Sequence, residues 1–167
     1  MGVPEGEENM QDPQTVYDRS LEHHQEFHRR QNSGKLLIRS EERSWEQNRH
    51  GLLKWYLLEG VGEDAVLQGW NVFVNRVRTQ GGKHVHQGGT VIFVLEGKGY
   101  SIVDGKRVDW EAGDLIMLPI KPGRVEHQHF NLDPNQEVKW IAMSFRPFKE
   151  YLSNMIIQRE NSPDFAG

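Results

Sequence analysis

The sequence has no cysteine and no long apolar run, and these two absences narrow the kind of protein it encodes. Without cysteine, disulfides, thiolate catalysis and cysteine-ligated zinc are excluded. No stretch approaches the roughly 20 apolar residues that a membrane-spanning helix needs. Lys and Arg number 20 against 24 Asp and Glu, a formal net charge of −4, and no basic run indicates a nucleic-acid partner. The N-terminus is acidic and polar, unlike a signal peptide, so we expect a cytoplasmic protein with no membrane partner.

The 167 residues are enough for one domain of ordinary size. We predict four segments: a disordered tail (1–14), an arm that packs on the β domain or on a partner subunit (15–65), the β domain (66–147), and a C-terminal helix and tail (148–167). Within the arm, apolar residues at near-helical spacing predict a weakly amphipathic helix from Thr15 to about Gln31. The same spacing predicts a docking helix from Pro147 to Ile157.

The β domain is indicated by short runs of β-branched and aromatic residues. Turn signals rich in Gly, Asp and Pro separate these runs, as in Gly81-Gly82 and Asp133-Pro134-Asn135. The clearest runs are residues 72–78, 90–95, 100–103, 115–118 and 138–145. Many short strands with such punctuation predict an all-β barrel or sandwich.

Half of the eight histidines form two His-x-His pairs inside the β domain: His84-Val85-His86 and His127-Gln128-His129. Residues i and i+2 of a strand project to the same face, so each pair can point its rings into a barrel. A single pair could equally be two exposed histidines at a strand end, but a second pair favours a shared ion. Imidazole suits Fe, Mn, Ni, Cu and Zn, so the pairs predict a transition-metal site. The other four histidines lie in the N-terminal third, three of them on the charged helix, where a solvated face is the simpler interpretation: His23, His24, His28 and His50.

The stretch from Gly82 to Asn131 resembles the two sequence motifs of the cupin superfamily. The matching pieces are GKHVH (82–86) with FVLEGKG (93–99), and GDLIMLP (113–119) followed by His127 and Asn131. The resemblance implies an all-β fold, a small antiparallel jelly-roll barrel, with a metal ion inside it. It also implies that His84, His86 and His127 are the metal ligands.

His127 is preferred over His129 as the third ligand because it stands four residues before Asn131, as the second motif implies. His129 stays open as an alternative ligand. Otherwise His129 and Gln128 are candidate catalytic groups that carry protons or orient the ligands.

One departure from the family pattern narrows the type of cupin metal site that this sequence resembles. Most metal-binding cupins carry a Glu three or four residues after the second histidine, where this chain has Thr90 and Val91. A three-histidine site without Glu resembles the gentisate and salicylate 1,2-dioxygenases, which implies Fe(II) as cofactor, with Mn, Ni or Zn as alternatives. Those enzymes usually contain two cupin domains, and this chain has one. Their gentisate members hold the substrate carboxylate with an Arg that is Ile92 here.

Four residues are candidates for substrate binding. Arg76 and Arg78 could replace the missing arginine or be exterior charges, and Phe93 and Trp70 could line a ring-binding pocket or belong to the core.

The function predicted from this resemblance is a metal-dependent oxidoreductase. It would be a non-haem Fe(II) dioxygenase that uses O2 to cleave a small phenolic, diphenolic or aminophenolic substrate. The alternatives are a non-oxidative lyase, isomerase or decarboxylase acting on a small polar acid, and a non-catalytic cupin that binds a small molecule. Because N-terminal extensions of related barrels often pack across another subunit, a homodimer or higher homo-oligomer is expected.

Overall fold

The computed structural model describes residues 14–153 and 155–166. A helix, α1 (Val16–Ser33), and a 3-10 turn (Ser40–Glu42) precede the strands. The strands are β1 (Glu46–Asn48), β2 (Gly51–Leu57), β3 (Trp70–Val77), β4 (Lys83–His86), β5 (Thr90–Glu96), β6 (Lys98–Val103), β7 (Lys106–Glu111), β8 (Leu115–Leu118), β9 (Val125–Asn131) and β10 (Val138–Phe145). A short helix, α2 (Arg146–Tyr151), and a last strand, β11 (Ile157–Glu160), complete the order.

The strands form two antiparallel sheets. The six-stranded sheet has the order β1-β2-β3-β10-β5-β8, and the five-stranded sheet has the order β11-β4-β9-β6-β7. Strand pairing does not join the two sheets within the described residues, so the jelly roll is an open one. The all-β fold predicted from the short runs is confirmed.

The core lies between the two sheets. It holds inward-facing residues of both, and Val94, Val125 and Val138 are the most deeply buried. Alternation explains the composition, because β5 buries Thr90, Ile92 and Val94 while the residues between them face outward. The same alternation decides which side chains can reach the functional site.

The N-terminal helix starts and ends close to the predicted positions. Thr15 accepts a hydrogen bond from the Asp18 backbone while the Asp18 carboxylate accepts one from the Thr15 backbone, which is a complete capping box. None of its residues is buried, and Val16 and Tyr17 are among its exposed apolar side chains. Packing of this arm on a partner subunit stays a prediction. The tail predicted over 1–14 falls, except for Gln14, outside the described residues.

Two boundaries differ from the sequence prediction. Strands β1 and β2 lie inside the predicted arm, yet β2 pairs along β3, so the β structure begins at Glu46 rather than at residue 66. At the other end, α2 ends at Tyr151, and β11 pairs with the edge of β4 instead of continuing a helix to Ile157. Backbone hydrogen bonds to an open sheet edge outweigh the helical spacing of a few apolar residues.

Candidate metal centre and its cavity

Three histidines converge between two neighbouring strands. His84 and His86 lie on β4, and the antiparallel register sets His127 of β9 directly opposite His84. The ring centroid of His127 lies 4.2 Å from that of His84 and 4.6 Å from that of His86. One ring nitrogen from each residue lies within 4.8 Å of the others, and all three side chains are buried. The two His-x-His pairs therefore meet as the sequence predicted, with His127 in the cluster.

Backbone carbonyls orient two of these rings. The Nδ1 atom of His84 is 3.2 Å from the Gly82 carbonyl oxygen, and the Nδ1 atom of His86 is 2.7 Å from that of Gln87. A carbonyl only accepts, so both Nδ1 atoms carry the proton and both Nε2 lone pairs are free. A ring held at Nδ1 with an open Nε2 is the usual state of a metal-ligating histidine. The donor set therefore fits a first-row transition-metal ion.

The rings are also uncharged at neutral pH. Burial lowers the pKa of His84 and of His127 well below the ordinary value, and neighbouring histidines add to the effect. Burial, followed by the nearby Lys149 ammonium, lowers the pKa of His86 to about 4. Neutral imidazole is the form that binds metal ions, so little proton competition opposes binding at pH 7.

His129 is held differently from the three clustered rings. The Trp110 Nε1–H donates to the Ser101 hydroxyl oxygen at 2.8 Å, and this hydroxyl lies 2.7 Å from His129 Nδ1. When Ser101 donates to Nδ1, the indole hydrogen and the buried hydroxyl hydrogen both have acceptors, and we therefore assign the proton of neutral His129 to Nε2, which borders the cavity. A protonated Nε2 is a hydrogen-bond donor and not a metal ligand. Burial lowers the pKa of His129 to about 4, so the ring stays neutral.

A cavity of about 90 Å³ adjoins the cluster and extends from buried Trp140 to exposed Ile156. The aromatic part of its wall comprises Trp55, Phe73 and Trp140, with four histidines: His50, His84, His86 and His129. Its polar part comprises Asn71, Asn75, Thr90, Ser144 and Lys149. No Asp or Glu is found among these lining residues, so the described wall carries no carboxylate. The cavity can therefore hold a small polar or aromatic molecule beside the cluster.

The four predicted substrate-binding residues do not line this cavity. Odd-numbered residues of β3 such as Phe73 face inward, so Trp70 and Arg76 point to the other side. Arg76 forms an ion pair with Glu137, and Arg78, just after β3, is exposed. Phe93 alternates outward between two buried neighbours on β5 and is 39% exposed. The structure therefore does not support a role in substrate binding for these four residues, and for Arg76 and Arg78 it favours the alternative of exterior charges.

Gln128 is likewise displaced from the site by alternation. It lies between His127 and His129 on β9, so its side chain leaves the opposite face of the strand. Its amide Nε2 donates to the Gly81 carbonyl oxygen at 3.1 Å. Gln128 therefore holds the loop before β4, and its predicted role as a proton carrier is not supported.

Four further cavity residues are not marked as functional by the sequence. The ring of His50, just before β2, lies 4.4 Å from that of His84. Lys149 falls within the predicted docking helix and Asn75 within the predicted run 72–78, and Asn71 lies just before that run. For the asparagines a signal existed, because they share the period-2 face of Phe73. No local pattern marks His50 or Lys149, since distant chain segments bring them to the cavity.

Comparison with known proteins agrees with this architecture. The family described as Cupin domain matches residues 74–144, the span that contains all three clustered histidines. Residues 74–144 therefore match the cupin domain, and they contain a three-histidine site suited to a metal ion. No curated protein sequence matches the chain. No described helix is both long and apolar enough to cross a membrane.

Several solved structures share the fold. Salicylate 1,2-dioxygenase from Pseudoaminobacter salicylatoxidans, as an adduct with gentisate, is 18% identical at a TM-score of 0.52, covering 86% of this chain and 35% of that one. Pac13, a nucleoside dehydratase, is 16% identical at a TM-score of 0.52, covering 76% of this chain and 92% of that one. A cupin 2 conserved barrel domain protein from Salinispora arenicola CNS-205 is 16% identical at 0.54, covering 71% and 95%. The chain thus spans about a third of the salicylate dioxygenase. At these identities the likeness shows the fold.

Proposed function

We propose that this domain is a metal-dependent oxidoreductase, a non-haem Fe(II) dioxygenase that uses O2 to open the ring of a small phenolic, diphenolic or aminophenolic substrate. The observation that carries the proposal is the set of three buried, neutral imidazoles beside an aromatic-walled cavity that has no carboxylate. Bound Fe(II) would supply Lewis acidity and a route for electrons between a phenolate and O2. His84, His86 and His127 would hold the ion.

The residues around the cluster have separate roles in this proposal. Trp55, Phe73 and Trp140 supply flat apolar walls that orient a ring and exclude water. The Nε2–H of His129 is a fixed hydrogen-bond donor on the cavity wall, able to bind a substrate oxygen or to hold a proton there. A neutral ligand set leaves the positive charge of the ion undiminished, which favours binding of a deprotonated phenol.

The test of the proposal is O2 consumption by Fe(II)-reconstituted protein, prepared without a His-tag. An oxygen electrode would follow reactions with gentisate, salicylates, catechols, hydroquinones and aminophenols. The fold shared with salicylate 1,2-dioxygenase makes phenolic acids the first choice in this panel. We expect substrate-dependent O2 uptake with one ring compound and none after the metal is removed by chelation. The absence of uptake with every ring compound would contradict the dioxygenase, and turnover under argon would then indicate a non-oxidative lyase or isomerase.

The role of His129 can be separated from metal binding by the variant His129→Gln. We expect the metal content to stay near that of the unmodified protein, while turnover falls about 100-fold, because a glutamine amide can donate a hydrogen bond but cannot take up and release a proton as imidazole does. Elemental analysis and the oxygen electrode measure the two quantities on the same sample. The control is His28→Gln, on an exposed position of α1, which should change neither. Equal loss of metal and turnover in His129→Gln would make His129 a ligand instead.

A further inference from the structure

A buried cation forms part of the cavity wall. Lys149 of α2 is only 6% exposed, and its ammonium donates to the Thr90 hydroxyl at 3.3 Å. No carboxylate among the described residues forms an ion pair with it. An ammonium carries three N–H donors, so one hydrogen bond to a neutral hydroxyl leaves most of its capacity unused.

Such an arrangement is costly for the protein alone. A buried charge without an opposite charge beside it destabilises the folded state, because the loss of hydration is not compensated. Desolvation lowers the pKa of Lys149 to about 8, so the side chain still carries its charge at pH 7. An uncompensated cation at a ligand cavity is the arrangement expected when the missing anion belongs to the ligand.

The charge distribution of the cavity points the same way. Lys149 is the one Lys or Arg among the described lining residues, and no Asp or Glu is present in the described wall. Lys149 and His86 line the same cavity, so one small molecule can contact both groups. An occupant therefore meets positive charge without a protein carboxylate to balance it.

The opposite polarity is found at two asparagines of β3. The Oδ1 atoms of Asn71 and Asn75 are buried and accept no hydrogen bond from the described residues, and both residues line the cavity. They are suited to accept from hydroxyl groups of a bound molecule. The cavity wall therefore offers one cationic donor and two neutral acceptors.

We propose that Lys149 is a specificity-determining residue that binds the carboxylate of the substrate, and that the substrate is a small hydroxylated carboxylic acid. This inference rests on the proposed function, because it concerns the substrate of that same cavity. In this proposal a lysine of α2 binds the substrate carboxylate, the role for which Arg76 and Arg78 were candidates in the sequence. The hydroxyl groups of the acid would meet Asn71 and Asn75.

The experiment is calorimetric titration under argon, which reports binding without turnover. The probes are salicylate and salicylamide, which have nearly the same shape and differ in the charge of one substituent. Both are titrated into Fe(II)-loaded protein and into chelated protein, so that the contribution of Lys149 is separated from that of the metal. The variants are Lys149→Met, Lys149→Arg and, as a matched control on the surface, Lys106→Met.

The unmodified protein and Lys106→Met should bind salicylate at least about tenfold more tightly than salicylamide, in both metal states. Lys149→Met should lose this preference, and Lys149→Arg should retain part of it. Methionine matches the length of lysine without its charge, so we expect Lys149→Met to fold and to keep its metal content. A urea denaturation curve and elemental analysis check both points.

Two results would overturn the inference: no preference for salicylate in the unmodified protein, or the same preference in Lys149→Met. The proposed dioxygenase activity is tested independently, by measuring O2 uptake with the oxygen electrode. Lysine-dependent binding of salicylate without O2 uptake on any ring compound supports the carboxylate site and contradicts the dioxygenase.

Discussion

Replacing His84 or His86 with Ala should abolish metal binding and leave the β fold in place. The imidazoles belong to a cluster whose ligand atoms lie within 4.8 Å of one another, and two remaining rings cannot enclose the ion in the same way. Loss of a group that only orients a ligand costs 10- to 100-fold in metal affinity in typical sites, so loss of a ligand should cost more than about 100-fold. Elemental analysis after dialysis should therefore find less than about a tenth of the metal of the unmodified protein.

The matched control is His28→Ala, which removes the same type of side chain from an exposed position of α1. Far-UV circular dichroism and a urea midpoint establish that each variant folds, and His84→Gln provides a polar substitute if the alanine variant does not. Stoichiometric metal in both His84→Ala and His86→Ala would contradict the assignment of these ligands. His127→Ala should behave like the first two variants.

The metal-free protein should lose stability as the pH falls from about 6.5 towards 4. An unfolded histidine has a pKa near 6.5, whereas the folded-state pKa is about 4 for His86 and about 4 for His129. In this window the unfolded chain binds more protons than the folded protein, so acid favours unfolding. Between pH 7 and pH 5 each of these two residues should cost about 2 kcal/mol, and His84 and His127 act in the same direction.

Urea denaturation in the presence of a chelator, at pH 7, 6 and 5, measures this loss. The variant His129→Gln removes one titrating group, so its free energy of unfolding should fall less steeply with acid. His28→Gln, at an exposed position of α1, is the surface control for the same substitution. Equal free energies of unfolding at pH 7 and pH 5 would show that the buried rings are not held neutral. Saturating metal should raise stability at pH 7 because it binds the folded state.

The metal cluster was predictable because its pattern is local. Two residues apart on a strand means the same face, so His84 and His86 had to lie together, and His127 and His129 had to share another face. What the spacing left open was the role of each member of the second pair. The strand register places His127 opposite His84, and the hydroxyl of Ser101 forms a hydrogen bond with Nδ1 of His129.

The four candidates for substrate binding lie away from the cavity for a common reason. They were chosen by residue type, without regard to the face of the strand that each occupies: Trp70, Arg76, Arg78 and Phe93. The period-2 rule, with Asn75 and Ile92 as the buried references, places the three strand residues among them on the outer face, and Arg78 is exposed just after β3. The predicted end of the C-terminal helix was wrong for another reason. Ile157–Glu160 pairs as a strand with the edge of β4, and the local sequence does not show that this edge is available.

The sequence alone predicted the all-β class, the turns and the three clustered histidines, since each depends on residues close together in the chain. The shape and charge of the cavity depended on the tertiary structure. Lys149 follows His86 by more than sixty residues, and only the return of α2 beside β10 brings its ammonium to Thr90. Contacts between distant segments arise from the packing of two sheets, and they carry no periodic signature along the chain.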